Sequence, residues 1–254
     1  MSRIVITGSA QGLGRSAAET LLDQGHEVVV HARSPERASS LADLAARGAA
    51  VVVGDLGDDG QTRDVADQVN SLGRMDAVIH NAGVYADRQR HPNRDGHPRT
   101  LAVNALAPYL LTCLVERPRR LVYLTSGMHL SGDTSLRDLD WATRSWNGIQ
   151  AYCDSKLFVT TLALAVARQW PSTASSAVDP GWVPTRMGGS GAPDDLEQGH
   201  LTQVWLAAGD DPDTRSGQVW YHQQPSRVAA AASDIAFQER LLGRLADLTG
   251  VDLA

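Results

Sequence analysis

A tyrosine and a lysine four residues apart, Tyr152 and Lys156, could carry out acid–base chemistry. They lie near the start of a helical pattern, Ala151–Trp170, and a spacing of four puts both side chains on one helix face. A phenol with a pKa of about 10 exchanges its proton poorly at neutral pH. A nearby ammonium group favours the phenolate and lowers that pKa. The pair could therefore protonate an alkoxide or deprotonate an alcohol, although ordinary amphipathic helices show the same spacing.

Three glycines near residue 10 could hold a phosphate. The stretch Thr7–Gly14 contains Gly8, Gly12 and Gly14, between a short apolar run and a helical pattern. Glycine adopts tight-turn angles at low cost, and its missing Cβ lets the backbone approach a pyrophosphate. The helix that follows adds free N–H groups and a partial positive charge. This placement predicts a nucleotide-binding turn rather than a purely structural one.

The end of the second apolar run bears on which dinucleotide would bind. An acid at this point suits the ribose 2′-hydroxyl of NAD, whereas an arginine suits the 2′-phosphate of NADP. The run ends in His31, Ala32 and Arg33, and its acid, Glu27, lies at the opposite end. Arg33 could pair with a phosphate through two hydrogen bonds, so NADP(H) is favoured over NAD(H). The alternative is that Arg33 is an ordinary surface residue.

Short apolar runs alternate with helical patterns along the chain. The predicted strands are Arg3–Thr7, Glu27–His31, Ala49–Val53, Asp76–His80, Arg120–Thr125, Ala174–Asp179 and Gly217–Tyr221. The predicted helices are Leu13–Gln24, Pro35–Arg47, Asp58–Leu72, Arg99–Val115, Ala151–Trp170 and Ser233–Thr249. The strands are rich in Val and Ile, as parallel strands covered on both faces are. We expect an α/β fold with a Rossmann-like, doubly wound parallel sheet of about seven strands and helices on both faces.

Two long segments lack a clear period and are predicted as loops. Gly127–Gln150 is one, and Asp179–Gly199, which is rich in Pro and Gly and runs into a short helix, is the other. Long loops in compact domains are often functional. Pro108 must kink the helix Arg99–Val115 or lie in a first turn. Because no repeat or linker interrupts the pattern, residues 1–254 are expected to form a single domain.

Composition and charge exclude several classes of protein. The 254 residues are 43% hydrophobic and 20% charged, with a net charge of −6, which is near the average of globular proteins. The acidic balance argues against nucleic-acid binding. Cys113 and Cys153 are too few for a disulfide framework, and no metal-ligand spacing occurs. No signal peptide or apolar stretch of about 20 residues is visible, which predicts a cytoplasmic protein without a membrane span.

Several motifs follow one another in a fixed order. They are Thr7–Gly14, Asp55, Asn81-Ala82-Gly83, Asn104, Ser126, Tyr152 with Lys156, and Pro180-Gly181. The set resembles the short-chain dehydrogenase/reductase family over most of the chain, and it is highly specific as a whole. Three residues separate the first two glycines and one separates the last two, as in the family's common oxidoreductase branch. The sugar-nucleotide epimerase branch spaces its glycines differently.

The resemblance implies roles for four catalytic residues. Tyr152 would be the general acid/base. Lys156 would lower the pKa of Tyr152 and bond the nicotinamide ribose. Ser126 would hold the substrate oxygen, and Asn104 would anchor a water molecule in a proton relay.

The resemblance also implies the cofactor contacts. Asn81-Ala82-Gly83 would line the inner side of the cofactor, and Asp55 would bond the adenine. Pro180, Gly181 and Thr185 would flank the nicotinamide carboxamide. The complete expected set is Gly8, Ser9, Gln11, Gly12, Leu13, Gly14, Arg33, Asp55, Leu56, Asn81, Ala82, Gly83, Tyr152, Lys156, Pro180, Gly181, Val183 and Thr185.

Two features depart from the common family pattern. Tyr152 lies 26 residues after Ser126, a long gap that is similar to the retinol-dehydrogenase-like branch, as is Ser126-Gly127-Met128-His129. The gap makes Ser131 a competitor for the serine role. The connection Cys113–Arg120 is short for this branch, where the preceding helix often forms a subunit interface. This puts the usual tetramer in question and leaves a homodimer as a candidate assembly.

The expected function is NADP(H)-dependent hydride transfer between the nicotinamide and a carbonyl/alcohol substrate, as ketone or aldehyde reduction. The alternative is a catalytically silent NAD(P)-binding regulator, which the presence of all four catalytic residues argues against. A dehydratase or epimerase of the same fold is disfavoured by the glycine spacing. His129 could bond a substrate or be structural. The substrate is expected to be apolar, with an aromatic wall, unless the loop tryptophans merely pack: Trp141, Trp146 and Trp182.

Overall fold

The computed structural model describes residues 1–209 and 216–254. Within that part of the chain, one sheet contains eight strands. The strands are β1 (Arg3–Ile6), β2 (Glu27–Ala32), β3 (Ala50–Val53), β4 (Ala77–His80), β5 (Arg120–Leu124), β6 (Ala174–Asp179), β7 (Val219–Tyr221) and β8 (Gln224–Pro225). The predicted strand positions are therefore confirmed to within about two residues, and β8 is added to them.

The strand order is β3-β2-β1-β4-β5-β6-β7-β8. All neighbours from β3 to β7 are parallel, and β8 pairs antiparallel with β7. The order reverses between β1 and β4, and ligands bind outside the carboxyl ends of the strands at such a point. β1 leads there into the glycine turn and β4 leads into Asn81. The doubly wound α/β fold is confirmed.

Alternating side chains of each strand feed two separate cores. In β1, Val5 belongs to one buried cluster, whereas Ile4 and Ile6 belong to the other. This follows from the two-residue period of a strand, which sends successive side chains to opposite faces. Both clusters contain helix residues, so the sheet is covered on both sides, as its Val- and Ile-rich strands predict.

The helices differ in detail from the sequence prediction. They are α1 (Gly12–Asp23), α2 (Pro35–Ala38), α3 (Ala42–Ala46), α4 (Asp59–Ser71), α5 (Arg99–Leu101), α6 (Ala107–Leu114), α7 (Gly148–Gln169), α8 (Leu196–Ala208), α9 (Ala230–Ser233) and α10 (Ile235–Thr249). The predicted helix Pro35–Arg47 is broken by a 3-10 turn over Ser39–Leu41. The hydroxyls of Ser39 and Ser40 there donate to carbonyls three residues back, which competes with regular helix.

The two predicted loops also contain regular structure. A 3-10 helix covers Gly127–Ser131, and α7 begins at Gly148, where the Asn147 side chain accepts from the Gln150 N–H. The predicted short helix is the 13-residue α8, which Asp195 caps by accepting from two N–H groups. The loop expectation is therefore wrong at both ends of the segment from residue 127 to 150.

Pro108 has a specific consequence for the segment before α6. It lies in the first turn of α6, directly after a π-helical turn over Ala102–Leu106. In an α-helix the carbonyl of Asn104 would accept from the N–H of residue 108, and proline has none. In the π turn the Ala107 N–H donates instead to the Ala102 carbonyl, five residues back. The carbonyl of Asn104 thus lacks its α-helical donor.

Candidate active site

A cavity of about 480 Å³ opens at the carboxyl ends of the strands, where the strand order reverses. Fourteen of the residues predicted as cofactor contacts line it. They are Gly8, Gln11, Gly12, Leu13, Arg33, Asp55, Leu56, Asn81, Ala82, Gly83, Tyr152, Lys156, Pro180 and Thr185. Six separate segments of the sequence therefore meet in one place.

Other predicted residues lie beside or behind the cavity wall. The Ser9 hydroxyl is buried and donates to the Ile6 carbonyl, and Gly14 lies against the Asn81 side chain. Val183 is buried, and Gly181 adopts a φ of +82° in the turn after β6. The remaining two, Asn104 and Ser126, flank the tyrosine and lysine. None of these six is among the residues that line the cavity in the unliganded protein.

The glycine turn depends on the absence of side chains. Gly8 has a φ of +65°, and a Cβ on it would come within 2.8 Å of the Ala82 Cα. Gly12 has a φ of +59° and faces the open cavity beside Thr185. The Asn81 Nδ2 donates to the carbonyls of Thr7 and Gly8, which holds the turn from the β4 side. The turn is thus fixed in a shape that lets a ligand approach its backbone.

His31, in β2, links the glycine turn to the end of β3. Its Nδ1 accepts from the Gly8 N–H at 2.9 Å, and its Nε2 lies 2.8 Å from the Gly54 carbonyl. The first bond requires a neutral Nδ1, so the proton is on Nε2. Burial lowers the pKa of His31, which favours this neutral form. The sequence analysis missed this residue as part of the site, because its role depends on contacts between distant segments.

Four arginines line the cavity, and only Arg33 was expected. The other three are Arg37, Arg99 and Arg186. In the described part of the chain, none of these guanidinium groups has a hydrogen-bond acceptor or a carboxylate partner. Arg37 lies four residues after Arg33, and Arg186 follows Thr185. The sequence therefore did contain a signal for both residues. Unpaired cations around a glycine turn fit a ligand with several phosphate charges.

Tyr152 lies near the start of α7 with its side chain turned into the cavity. It is 6% exposed, and the Tyr85 ring packs edge-on against it with ring centroids 4.8 Å apart. Burial raises the pKa of Tyr152, whereas a hydrogen bond with the Ser126 side chain lowers it and the Asp179 carboxylate raises it further. The predicted lowering of this pKa by Lys156 is not the dominant effect in this arrangement.

Lys156 is completely enclosed, one helical turn after Tyr152. Its Nζ donates to the Leu124 carbonyl at 2.8 Å and lies 5.6 Å from the centre of the Tyr152 ring. Burial lowers the pKa of Lys156 to about 8, and the Asp179 carboxylate opposes that shift. A Cβ on Gly83 would lie 3.6 Å from the same Nζ, which places the Gly83 backbone against the ammonium group on the cavity side.

Asn104 uses its side chain to position other groups. Its Oδ1 accepts from the Val84 N–H at 2.8 Å, and its Nδ2 donates to the Val84 carbonyl at 2.9 Å and to the Ser155 hydroxyl at 3.0 Å. Both N–H donors of the amide are therefore engaged. The main-chain carbonyl of Asn104, which Pro108 leaves without an α-helical donor, is an acceptor for the water molecule that the resemblance implies.

The serine beside Tyr152 is Ser126 rather than Ser131. Ser126 shares a hydrogen bond with Tyr152 and caps the 3-10 turn by accepting from the Met128 N–H. Ser131 is exposed at the far end of that turn. His129 is 1% exposed and lies between the Ser126 carbonyl, at 2.6 Å, and the Ala229 N–H, at 3.3 Å. It therefore has the structural role that was one of the two alternatives.

The loop tryptophans divide between packing and exposure. Trp141 and Trp146 stack edge-on, and the Arg144 guanidinium lies 3.4 Å above the Trp141 ring. Neither lines the cavity. Trp182 is 60% exposed beside Pro180, which does line it. Trp182 does not line the cavity either, and among these three it alone follows a lining residue closely in the sequence.

Known proteins resemble this chain over its whole length. A family model described as Enoyl-(Acyl carrier protein) reductase matches residues 8–211. The chain is 40% identical to "Short-chain dehydrogenase chyC" of Penicillium rubens, over 100% of this chain and 99% of that protein. The chain belongs to the short-chain dehydrogenase/reductase family. Members of this family that resemble it act as oxidoreductases on CH–OH or carbonyl groups, and this is its enzyme class.

Another relative and two solved structures are more distantly similar. The relative is "Putative daunorubicin C-13 ketoreductase DnrU" of Streptomyces sp., which is 29% identical over 94% of this chain and 89% of that protein. The crystal structure of an uncharacterised protein from Mycobacterium paratuberculosis superimposes with a TM-score of 0.87, at 25% identity, over 100% of this chain and 95% of that one. The RhlG/NADP active-site complex of Pseudomonas aeruginosa superimposes with a TM-score of 0.67, at 20% identity, over 86% of this chain and 94% of that one.

A membrane-spanning helix and a cluster of metal ligands are both absent from the described residues. In residues 1–209 and 216–254, no helix combines the length and apolarity needed to cross a bilayer. Over the same ranges, no three His, Cys, Asp or Glu side chains come together in a way that could hold a metal ion.

Proposed function

We propose that this short-chain dehydrogenase/reductase uses NADPH to reduce a ketone or an aldehyde. The observation that carries the cofactor preference is the set of four unpaired arginines around the glycine turn. Arg33 and Arg37 lie after β2, where a 2′-phosphate would be recognised. A carboxylate in that place would favour the 2′-hydroxyl of NAD, and Asp55 is instead turned to the Gly57 N–H at 2.9 Å.

The enclosed tyrosine supports reduction as the direction of the reaction. Tyr152 is protonated at neutral pH, as an ordinary phenol is, and burial moves its pKa further above that pH. A protonated phenol can give its proton to an alkoxide, which is the acid step of carbonyl reduction. Alcohol oxidation would need the phenolate as a base. That DnrU is described as a ketoreductase agrees with this direction.

Each catalytic residue then has one task. The bound nicotinamide would supply a hydride to the carbonyl carbon. Tyr152 would donate its proton to the carbonyl oxygen, and the Ser126 hydroxyl would hold that oxygen beside it. Lys156, anchored on the Leu124 carbonyl, would fix the cofactor ribose and carry positive charge near the phenol. Asn104 positions Val84 and Ser155 behind them, and its main-chain carbonyl would hold the relay water.

The first experiment compares the binding of NADPH and NADH to the purified protein by calorimetry. We expect NADPH to bind about 10- to 100-fold more tightly, since a phosphate–arginine pair is a charge-assisted contact. Arg33→Ala should remove most of this preference and leave NADH binding unchanged. Arg244→Ala, on the exposed face of α10, is the charge-matched control. Equal or tighter binding of NADH by the wild-type protein would overturn the NADP assignment.

Three further expectations stay predictions. A single domain over residues 1–254 is supported by the continuity of the sheet from β3 to β8. A homodimer is the simplest assembly. Cytoplasmic location and an apolar substrate rest on the sequence, and the exposed Tyr85 ring, which packs against Tyr152, supports the second. The silent regulator has no observation in its favour.

A further inference from the structure

Asp179, the last residue of β6, is an acidic group at the catalytic centre. β5 and β6 are paired in parallel up to Leu124 and Val178, and the Thr125 N–H donates to the Val178 carbonyl at 2.8 Å. The next step in this register brings Asp179 beside Thr125, immediately before Ser126. Leu124 and Val178 belong to the core on the α1 side. Alternation along a strand therefore turns Asp179 towards the opposite face, where α7 carries Tyr152 and Lys156.

The contacts of Asp179 agree with this placement. Its Oδ1 accepts from the Gly181 N–H at 3.0 Å, and its Oδ2 lies 3.2 Å from where a Cβ on Gly127 would be. Gly127 follows Ser126, so the free oxygen lies close to the serine that would hold the substrate oxygen. The charge of Asp179 also raises the pKa values of Lys156, Tyr152 and Tyr221.

Asp179 is half-buried, and its charge is not balanced by a close cation. Among the described residues, no Lys, Arg or His nitrogen lies within 4.0 Å of its carboxylate. Lys156 is turned to the Leu124 carbonyl instead. A second carboxylate, Asp194, accepts from the Trp182 N–H at 2.6 Å and also raises the pKa of Tyr221. Aromatic residues lie next to these groups: the Tyr85 ring packs edge-on against Tyr152, both carboxylates act on Tyr221, and Trp182 holds Asp194 through its backbone N–H.

We propose that Asp179 sets the charge preference of the substrate. A carboxylate or phosphate near the reacting carbonyl would be repelled by Asp179 and, more weakly, by Asp194. A carbonyl compound carrying a protonated or quaternary amine would be attracted, and the surrounding aromatic rings suit a cation. The substrate class is therefore an apolar ketone or aldehyde that bears an ammonium group, with its uncharged analogue next in preference. The inference rests on the proposed reduction for its turnover measurement.

The test uses three aryl methyl ketones that differ only in the para substituent. These are the trimethylammonium compound, its uncharged tert-butyl isostere and the carboxylate. kcat/KM is measured for each at saturating NADPH with the wild-type enzyme, Asp179→Asn, Asp194→Asn and Asp67→Asn. Asparagine keeps the oxygen that accepts from Gly181, and Asp67→Asn removes an equal charge from the exposed face of α4. Effects of Asp179 on Tyr152 and Lys156 are common to all three ketones and cancel in the ratios.

We expect the wild-type enzyme to prefer the cation over the tert-butyl ketone by about fivefold, and the tert-butyl ketone over the carboxylate by a similar factor. Asp179→Asn should abolish most of the charge preference in both kcat/KM ratios. Asp194→Asn should reduce it less, and Asp67→Asn should leave both ratios unchanged. The substituents also change the electrophilicity of the carbonyl carbon, and this effect is the same in every variant. The change in the ratios on Asp179→Asn therefore decides, and ratios that this substitution leaves unchanged would overturn the inference.

Equilibrium binding separates this inference from the proposed function. Affinities of the same three ketones for the NADP⁺-loaded protein are measured by calorimetry. If no ketone is reduced but binding follows the expected charge order, the reduction is wrong and the charge preference stands. If the ketones are reduced without a charge order, the reverse holds. If none is reduced and none binds at millimolar concentration, both are wrong.

Discussion

The two halves of the cavity treat charge in opposite ways. On the half beside the glycine turn, Arg33, Arg37 and Arg186 are exposed and remain without partners in the described chain. On the other half, Tyr152 and Lys156 are 6% and 5% exposed, and their pKa values are shifted by burial. The arginines of the first half are solvated in the unliganded protein, whereas the ionisable side chains of the second half are buried by folding.

The difference shows what each half can contribute. Exposed cations add affinity and selectivity for phosphates at little cost in folding free energy, but their effect is screened by salt. Buried groups lose solvation, which destabilises the fold, but their protonation states respond strongly to neighbouring charges. We call the half beside the glycine turn, with Arg33, Arg37 and Arg186, the wet half, and the half with Tyr152 and Lys156 the dry half. Ligand binding is assigned to the wet half and proton transfer to the dry half. The predictions below test this division.

The largest expected effect is that of Tyr152→Phe. Removing the hydroxyl deletes the proton donor, so kcat for ketone reduction should fall by about a thousandfold. NADPH affinity should stay within about twofold, because the arginine half is untouched. Steady-state kinetics and calorimetry on one preparation measure both quantities. A variant that keeps most of its turnover would break the assignment of chemistry to the dry half.

The next effect concerns stability, through Lys156→Met. The pKa of Lys156 falls from 10.5 in the unfolded chain to about 8 in the fold, so the unfolded state binds more protons between those values. The burial cost is complete below pH 8 and disappears as the pH rises towards 10.5. The substitution removes this burial cost but also the hydrogen bond to the Leu124 carbonyl. With both effects included, the variant should be about 2 kcal/mol more stable than the wild type at pH 7.

That advantage should shrink as the pH rises from 8 to 10, which urea denaturation at several pH values would show. Arg37→Ala, in the wet half, is the control and should change the free energy of unfolding little at any of these pH values. If Lys156→Met were less stable than the wild type by the same amount at every pH, the burial cost assigned to the dry half would be wrong.

A smaller effect is expected for His31→Asn. The substitution removes the bridge between Gly8 and Gly54, so the glycine turn should hold a ligand about fivefold less tightly. The pKa of His31 is lowered by burial, so the wild-type protein should lose affinity as the pH falls below the usual histidine range, when Nδ1 gains a proton. His31→Asn should lack that loss.

ADP-ribose is the probe for this comparison, because it has no 2′-phosphate that titrates in the same range. Its affinity is measured by calorimetry between pH 5 and pH 8, over which both proteins must stay folded by circular dichroism. Parallel pH profiles for the wild type and His31→Asn would show that the imidazole does not control the turn.

The sequence predicts those parts of the molecule that depend on short-range pattern. Three features could be predicted because their geometry is set within a few residues: the strands, the Gly8–Gly14 turn and the Tyr152–Lys156 pair. The broken helix after Pro35 was not foreseen, because two serine hydroxyls alter its hydrogen bonds by a small free energy. The β7–β8 hairpin turns at His222 and Gln223, both with positive φ, where the usual Asn-Gly signal is missing.

The candidate site shows the same limit more clearly. Arg99 reaches the site only through the fold, since it adjoins none of the motifs, whereas Asp179 directly precedes the Pro180-Gly181 motif. Asp179 is placed by the register between β5 and β6, which is decided by the packing of both sheet faces. Local pattern therefore found the residues that are proposed to bind and react, and missed the charges that surround them.

The exposure of Trp182 gives the protein an optical reporter. Of its six tryptophans, only Trp182 is classed as exposed, and its indole N–H is fixed to the Gly188 carbonyl at 2.9 Å. Indole emission overlaps the near-ultraviolet absorption of a reduced nicotinamide, so a cofactor bound beside Pro180 would quench this residue by energy transfer. Changes in emission at the mouth of the site could then be followed in a stopped-flow instrument without any attached dye.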